Sequence, residues 1–139
     1  MSASAPQREP PSVPRSPEPR AIRARCHCGA VEISAFLPHG TEAAGRCDCS
    51  ICRRRGPGAI TARTDSLRVL KGRRALRCYS FHSHVAKHWF CRHCGIYVYH
   101  QRRSDPAECG INIGCIEGID PREFADLPWT DGINHPKDR

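Results

Sequence analysis

The sequence is poor in the residues that build a large apolar core. Aromatic residues make up 6% of its 139 positions and methionine occurs once, whereas glycine and proline occur 11 and 12 times. A chain of this length forms one small domain, which buries a smaller share of its surface than a large protein does. We therefore expect a second source of stability, such as a structural zinc ion, which contributes on the order of 10 kcal/mol to folding.

Long apolar segments are also missing. No run approaches the roughly 20 residues of a membrane span, and the first residues contain no apolar stretch typical of a secretion signal. The sequence nevertheless has ten cysteines. In a secreted chain they would indicate disulfides, whereas in a reducing compartment they indicate metal or redox chemistry. We expect a cytoplasmic metal-binding protein that does not contact a membrane.

Lysine is scarce but arginine is not, and the basic charge is concentrated in one segment. The formal net charge is +8. Residues 46–103 contain 14 basic and two acidic residues, whereas residues 104–139 contain three basic and eight acidic ones. Such a segment attracts an anionic partner, and a small acidic thiol or a nucleic-acid backbone has the required charge. A basic surface that only aids solubility is the alternative.

The chain divides into a tail and a domain. Residues 1–20 hold six of the twelve prolines among small and charged residues, which indicates a disordered tail. Residues 21–139 form a single domain of short strands, because apolar and polar residues alternate there. The predicted strands cover residues 31–37, 59–63, 67–70, 75–81, 85–90, 96–100 and 110–116. Helical turns are expected only at residues 50–55 and 121–125, so the fold class is all-β.

Seven of the ten cysteines fall into three tight clusters. These are Cys26-His27-Cys28-Gly29, Cys47-Asp48-Cys49-Ser50-Ile51-Cys52 and Cys91-Arg92-His93-Cys94-Gly95. A structural zinc site takes four protein ligands, whereas a catalytic site takes three and keeps one coordination position open. Seven cysteines therefore divide into one site of four and one of three.

The two pairs that precede a glycine predict the structural site. A glycine after the second cysteine allows the positive φ that such a turn needs, and closely spaced cysteines direct both sulfurs to one side of the chain. Neither pair completes a tetrahedron alone. Together they form a Cys₄ zinc site that joins two hairpins about 65 residues apart, where a cross-link strongly restrains the unfolded chain. The ligands of this site are Cys26, Cys28, Cys91 and Cys94.

The triplet Cys47, Cys49 and Cys52 predicts a second, catalytic zinc site with an open position. Three thiolates make zinc a weak Lewis acid, suited to a soft ligand such as a substrate thiol. A zinc-bound thiol is deprotonated and becomes a nucleophile at neutral pH. A bridged two-ion cluster is one alternative, and a closed structural site is another. The candidates for a fourth ligand in a closed site are His82, His84, His88 and His93.

The remaining cysteines and the aromatic pair are expected to serve packing. Cys78 and Cys115 lie alone in predicted strands, and Cys109 directly precedes one. Cysteine at such positions usually acts as a small buried hydrophobic residue. The pair Trp89-Phe90 is expected to pack under the third cluster, with a pocket wall as the alternative. Asp48, inside the triplet, is interpreted as a solvated loop acid, although it has the chemistry to orient a ligand.

The three clusters, in this order and spacing, resemble the glutathione-dependent formaldehyde-activating enzyme family, which also includes centromere protein V. The resemblance covers about residues 22–118. The segments that carry it are Cys26-His27-Cys28-Gly29-Ala30-Val31, Cys47-Asp48-Cys49-Ser50-Ile51-Cys52-Arg53-Arg54 and Phe90-Cys91-Arg92-His93-Cys94-Gly95. It implies a β-tent, in which short antiparallel sheets fold around zinc, and the same division of the cysteines into structural and catalytic ligands.

The resemblance also implies a reaction. The founding activity of the family is the condensation of formaldehyde with glutathione to S-hydroxymethylglutathione, which is classed with the carbon–sulfur lyases. We expect Arg53 and Arg54, next to the triplet, to bind the carboxylates of glutathione through charge-assisted hydrogen bonds. The alternatives are a binding module for nucleic acid or another polyanion, and a structural zinc domain that contacts another protein.

Overall fold

The computed structural model describes residues 15–134, so most of the predicted tail lies outside the described residues. Strands dominate this part of the chain, which confirms the all-β prediction. The strands are β1 (Arg20–Arg25), β2 (Glu32–Leu37), β3 (Ala44–Cys47), β4 (Ala59–Arg63), β5 (Arg68–Lys71), β6 (Leu76–Tyr79), β7 (Lys87–Cys91), β8 (Tyr97–Gln101), β9 (Glu108–Asn112) and β10 (Trp129–Thr130). The described chain also contains one α-helix, α1 (Ser50–Arg55), and three 3₁₀ turns, at Thr64–Ser66, Ile113–Cys115 and Pro121–Phe124.

The strands form two sheets. The smaller sheet has the order β1-β2-β5, and the larger has the order β10-β3-β4-β9-β8-β7-β6. Neighbouring strands are antiparallel except for β10 and β3, which pair in parallel through Trp129–Thr130. Two hairpins carry the paired cysteines at their turns: β1–β2 in the smaller sheet and β7–β8 in the larger sheet.

The apolar core is built from strand residues of both sheets. In β2 the buried residues Ile33, Ala35 and Leu37 alternate with more exposed neighbours, as expected for a half-buried strand. Ile60 of β4 and Ile111 of β9 are fully buried and belong to the same core. Burial of such a side chain stabilises the fold by about 1.5–3 kcal/mol.

Two predicted elements have the expected bounds, and two others are shorter than predicted. The strand at 59–63 and the helical turn at 50–55 have the expected bounds. The strand predicted at 85–90 begins only at Lys87, because His82 and His84 have positive φ values of 57° and 59° and turn the chain just before it. The strand predicted at 110–116 ends at Asn112, whose side chain accepts a hydrogen bond from the backbone N–H of Gly114 and starts a 3₁₀ turn.

The start of the described chain lies against the rest of the fold. The backbone N–H of Thr41 donates to the carbonyl oxygen of Ser16 at 2.9 Å, and the N–H of Ser16 donates to Thr41 Oγ1 at 2.8 Å. The guanidinium of Arg15 lies 5.1 Å from the centre of the Phe124 ring. Between residues 15 and 134, no helix has the length and apolar character needed to traverse a lipid bilayer.

Candidate metal centres and active site

The first metal centre is the group of four cysteines from the two hairpins. The sulfurs of Cys26, Cys28, Cys91 and Cys94 all lie within 4.8 Å of one another. Two of the sulfur–sulfur distances, Cys26 to Cys28 and Cys28 to Cys91, are 3.7 Å. Tetrahedral zinc, with Zn–S bonds of about 2.3 Å, places its sulfurs about 3.8 Å apart, whereas a disulfide bond is about 2.05 Å long. The donor set therefore fits zinc.

The turns around this centre have the backbone geometry that the sequence predicts. Gly29 and Gly95 have φ values of 80° and 75°, which favour glycine. The backbone N–H of Val31 donates to the sulfur of Cys26 at 3.3 Å. Such N–H donors stabilise thiolate ligands, because they replace hydrogen bonds from water.

The four cysteines lie where the two sheets meet, and we call this group the clamp. Cys26 directly follows β1 of the smaller sheet, and Cys91 ends β7 of the larger sheet. Both are buried, at 2% and 0% exposure. A metal ion bound here cross-links the two sheets at a point remote in sequence, which agrees with the structural role expected for the Cys₄ site.

The second centre lies at the junction of β3 and α1. Cys47 is the last residue of β3, Cys49 caps the N-terminus of α1, and Cys52 lies in its first turn. Their three sulfurs lie within 4.8 Å of one another, and all three residues are partly buried. The backbone N–H of Cys52 donates to Cys49 Sγ at 3.5 Å. Hydrogen bonds from Cys47 and Cys52 hold the pKa of the Cys49 thiol far below its usual value.

No histidine between residues 15 and 134 lies close enough to complete this triplet. Of the four candidates for a fourth ligand, His82, His84 and His93 are exposed. His88 is buried, but its Nδ1 lies 2.9 Å from a guanidinium nitrogen of Arg55. Within the described chain the triplet is therefore an open three-sulfur group, whose donors fit a zinc ion with room for a further ligand.

The segment around β10 covers one side of the triplet. A side chain at Gly132 would place its Cβ 2.5 Å from Cys47 Sγ and 2.5 Å from Cys49 Cβ, so only glycine fits here. The backbone N–H of Gly132 donates to Asp48 Oδ1 at 2.7 Å. The interpretation of Asp48 as a solvated loop acid is therefore wrong: Asp48 is partly buried and fastens the chain that passes over the sulfurs.

A cavity of about 330 Å³ opens beside the triplet. It has the size of a small-molecule site, for which about 300–1,000 Å³ is usual. Its walls combine the three cysteines with aromatic rings and basic side chains from the larger sheet, from α1 and from the loops that follow β6 and β8. These basic and aromatic residues are Arg46, Arg55, Phe81, His88, Tyr97, His100, Arg102 and Arg103.

Arg55 connects the sulfurs to the rest of the cavity. Its Nη2 donates to Cys52 Sγ at 3.3 Å, and its Nη1 lies 2.9 Å from His88 Nδ1. Its guanidinium carbon lies 3.7 Å from the centre of the Tyr97 ring, in a cation–π contact. A single cation therefore contacts a cysteine of the triplet, an imidazole and an aromatic ring.

Two histidines stack side by side because their strands pair in register. His88 of β7 faces His100 of β8, and their ring centres are 5.6 Å apart. The Nδ1 of His100 is hydrogen-bonded to the hydroxyl of Tyr97. Gly110 of β9 leaves the space for the ring, since a Cβ there would lie 2.5 Å from His100 Cε1. Burial, together with the charge of Arg55, lowers the pKa of His88 to about 4 and that of His100 well below its usual value.

Arg53 and Arg54 lie next to the cavity, on its outer side. Both are exposed and line a second, shallow pocket with Asp48, His82 and Ile133. Ser50, Phe81 and Gly132 line both pockets, so the two are adjacent. Arg54 Nη1 donates to the carbonyl oxygen of Ser50 at 2.7 Å.

Sequence reasoning named His88 only as a candidate fourth metal ligand, and it missed the other residues that line the cavity opposite the triplet. A signal was available for Arg55, which lies three residues after Cys52 and so shares its face of α1. For His88, Tyr97 and His100 the sequence shows only polar residues inside predicted strands. Their convergence depends on strand pairing, which a single sequence does not specify.

The predictions for the lone cysteines have mixed outcomes. Cys109 and Cys115 are buried in the core, as expected. The prediction for Cys78 is wrong, because Cys78 lies on β6, at the edge of the larger sheet, and is exposed. Trp89 packs partly buried against the core and stacks on Tyr99, with ring centres 6.0 Å apart.

Comparison with known proteins agrees with this geometry. The family model for the glutathione-dependent formaldehyde-activating enzyme matches residues 21–127. The chain belongs to this family. The expected resemblance is thereby confirmed, and the match spans both cysteine groups together with β3, β4, β7 and β8 of the larger sheet.

A solved structure supports the same fold. The crystal structure of a Rhodobacter sphaeroides protein is 55% identical in sequence to this family member and superposes with a TM-score of 0.75. The alignment covers 78% of this chain and 99% of the bacterial one. The likeness thus extends over the whole of that protein.

Proposed function

We propose that the protein adds the thiol of glutathione to formaldehyde and so forms S-hydroxymethylglutathione, a reaction of the carbon–sulfur lyase type. The observation that supports this most is the triplet of Cys47, Cys49 and Cys52, which opens onto a cavity lined by arginines. Membership of the family supports the choice of glutathione and formaldehyde.

We propose zinc as the metal at both centres, because sulfur-only donor sets of this size favour it. Zinc at the triplet would hold a fourth, soft ligand such as the glutathione sulfur in its deprotonated form. The protein's own contribution is to hold three thiolates in one short loop and to cover them with the segment at Gly132. The Cys₄ group supports the fold and takes no part in the reaction.

Ten free cysteines fit a reducing compartment, and we propose the cytoplasm.

The charges around the cavity suit glutathione, a tripeptide with two carboxylates and one ammonium group. Arg102 donates from Nη2 to Thr61 Oγ1 at 2.8 Å, which keeps its guanidinium at the cavity wall. Arg53 and Arg54 lie in the adjacent shallow pocket. We propose that the sulfur lies at the triplet and that these arginines bind the carboxylates, since charge-assisted bonds of this kind are strong and directional.

The test is a rate measurement with the zinc-loaded protein. Exchange NMR gives the rate at which formaldehyde and glutathione form the adduct, and the spontaneous reaction gives the baseline. We expect clear acceleration by the protein, together with calorimetric binding of glutathione. S-methylglutathione, whose sulfur is blocked, is the matched control and should bind more weakly. The proposal fails if the protein neither speeds the reaction nor distinguishes the two ligands.

The contribution of the outer arginines can be measured separately. Arg53→Ala and Arg54→Ala should each weaken glutathione binding about two- to fivefold, since exposed ion pairs contribute about 0.2–1 kcal/mol. Arg68→Ala is the control, because Arg68 is also exposed but lies on β5 of the smaller sheet. If all three variants bind glutathione alike, the carboxylates are held elsewhere.

A further inference from the structure

A buried imidazole nitrogen beside the cavity has no hydrogen-bond partner among the described residues. It is Nε2 of His88, a residue that is 6% exposed and lines the cavity. Buried polar atoms are nearly always hydrogen-bonded, because an unmade bond is costly. At the wall of a cavity, such a nitrogen is available for a hydrogen bond with a ligand.

The contact with Arg55 shows what this atom can do. A guanidinium has only donors, so His88 Nδ1, at 2.9 Å from Arg55 Nη1, must be the acceptor of that hydrogen bond. A neutral imidazole that accepts at Nδ1 carries its proton on Nε2. Burial and the charge of Arg55 lower the pKa of His88 to about 4, so the ring is neutral at pH 7. The unpartnered atom is therefore an N–H donor.

The imidazole of His88 also lies close to the cysteine triplet. Arg55 contacts His88 with Nη1 and Cys52 Sγ with Nη2, so a single guanidinium spans the imidazole and the triplet. The ring of His88 is held between Phe81 and His100, with ring centres 5.8 and 5.6 Å away. This packing fixes the ring plane. The hydrogen bond from a cation to Nδ1 also polarises the ring and strengthens its Nε2–H as a donor.

We propose that His88 Nε2–H donates a hydrogen bond to the oxygen of the aldehyde while the glutathione sulfur adds to its carbon. This inference rests on the proposed function. In the step a C–S bond forms, the C=O π bond breaks, and its electron pair moves to the oxygen. That oxygen gains a proton from water, which balances the proton that the thiol loses. His88 stabilises the developing negative charge and is not itself deprotonated.

The competing explanation is that His88 only packs the cavity wall and holds Arg55. Two variants separate the explanations. His88→Asn keeps a short side chain whose oxygen can accept from Arg55, but it has no donor at the position of Nε2. His88→Gln is longer and can place its amide N–H near that position. A purely structural residue would tolerate both changes or neither.

The test compares turnover and binding in the zinc-loaded variants, with formaldehyde and glutathione as probes. We expect His88→Asn to lower turnover about 100-fold, the usual loss for one donor to a developing oxyanion, while the affinity for glutathione changes less than about twofold. His88→Gln should keep turnover within about tenfold of the wild type. Metal content is measured for each variant, and both should hold the same zinc as the wild type.

The proposal is overturned if His88→Asn turns over like the wild type, or if both variants lose turnover, zinc and glutathione binding together. A second readout does not depend on activity. Proton–nitrogen correlation spectra of the wild-type imidazole should show the proton of His88 on Nε2, and a proton on Nδ1 would contradict the proposal. A wild type that does not accelerate adduct formation overturns the proposed function as well, whereas an active wild type with an equally active Asn variant overturns only the role of His88.

Discussion

The two groups consist of the same residue type, cysteine, but differ in their surroundings. In the Cys₄ group, Cys26 and Cys91 are buried where the two sheets meet, and turns with positive-φ glycines hold the sulfurs. The triplet lies in one loop at the wall of a cavity, where a segment remote in sequence covers it and a cationic side chain contacts it. Under the proposed assignment, the number of cysteines and the access to a cavity distinguish the structural site from the reactive one, although the donor atom is the same.

The largest expected effect is on the structural site. Cys91→Ser removes a fully buried ligand from the clamp between the sheets. Structural zinc contributes about 10–16 kcal/mol of apparent binding energy, which exceeds the net stability of most small domains. We expect this variant to show no cooperative thermal transition by circular dichroism. A melting curve like that of the wild type would show that the Cys₄ group is not a clamp.

The matched change in the triplet should have the opposite outcome. Cys49→Ser removes a partly buried ligand next to the cavity, where no second sheet depends on it. We expect the variant to fold and melt near the wild-type temperature but to lose all acceleration of the reaction and one zinc per chain. Metal analysis and exchange NMR measure both. If Cys49→Ser unfolds as Cys91→Ser does, the distinction between the sites is lost.

A smaller effect is expected from the segment that covers the triplet. In Gly132→Ala the new methyl group meets Cys47 Sγ and Cys49 Cβ at 2.5 Å, so the sulfurs must shift. We expect glutathione affinity to fall about tenfold, as is usual when the support of metal ligands is disturbed. Gly114→Ala is the control, because its Cβ would meet only Asn112 Oδ1 at 3.5 Å. Equal affinities in the two variants would show that the segment does not shape the site.

A separate effect concerns pH. Burial, and then the charge of Arg55, lower the pKa of His88 to about 4 from its usual 6.5. As the pH falls, the unfolded chain therefore binds this proton first, and unfolding is favoured. The contribution of neutral His88 to stability is complete above pH 6.5 and is lost as the pH falls toward about 4. The unfolding free energy of the wild type should thus fall more than that of His88→Asn over this range. If the unfolding free energies of the two proteins fall equally with pH, the lowered pKa of His88 is contradicted.

Much of the fold follows from local patterns. The alternation in β2 and β4 and the short helix after the triplet were predicted because local spacing alone determines them. β3, with the sequence AGRC, was missed because it has no β-branched or aromatic residue. β1 was missed because its alternating RAIRAR sequence lies at the end of the proline-rich region. β10 has only two residues, too few for a period to show.

The site likewise contains residues that local spacing predicts and residues that only tertiary contacts bring together. The grouping of the seven cysteines was predicted because metal binding constrains the spacing of its ligands along the chain. Arg55, His88 and Tyr97 come together through strand pairing and helix packing, and these interactions join residues that are far apart in sequence. Gly132 is 80 or more positions from the sulfurs that it covers, and no local pattern indicates that contact. These parts needed the structure.

The most direct test of the open triplet is zinc-edge X-ray absorption on the fully loaded protein, with and without glutathione. With four sulfurs at one site and three at the other, the mean should be about 3.5 sulfurs per zinc in the free protein. Glutathione should raise it to about 4, because its sulfur occupies the remaining position. A mean that does not change on addition of glutathione, or a fourth protein ligand already bound at the triplet, would contradict the account.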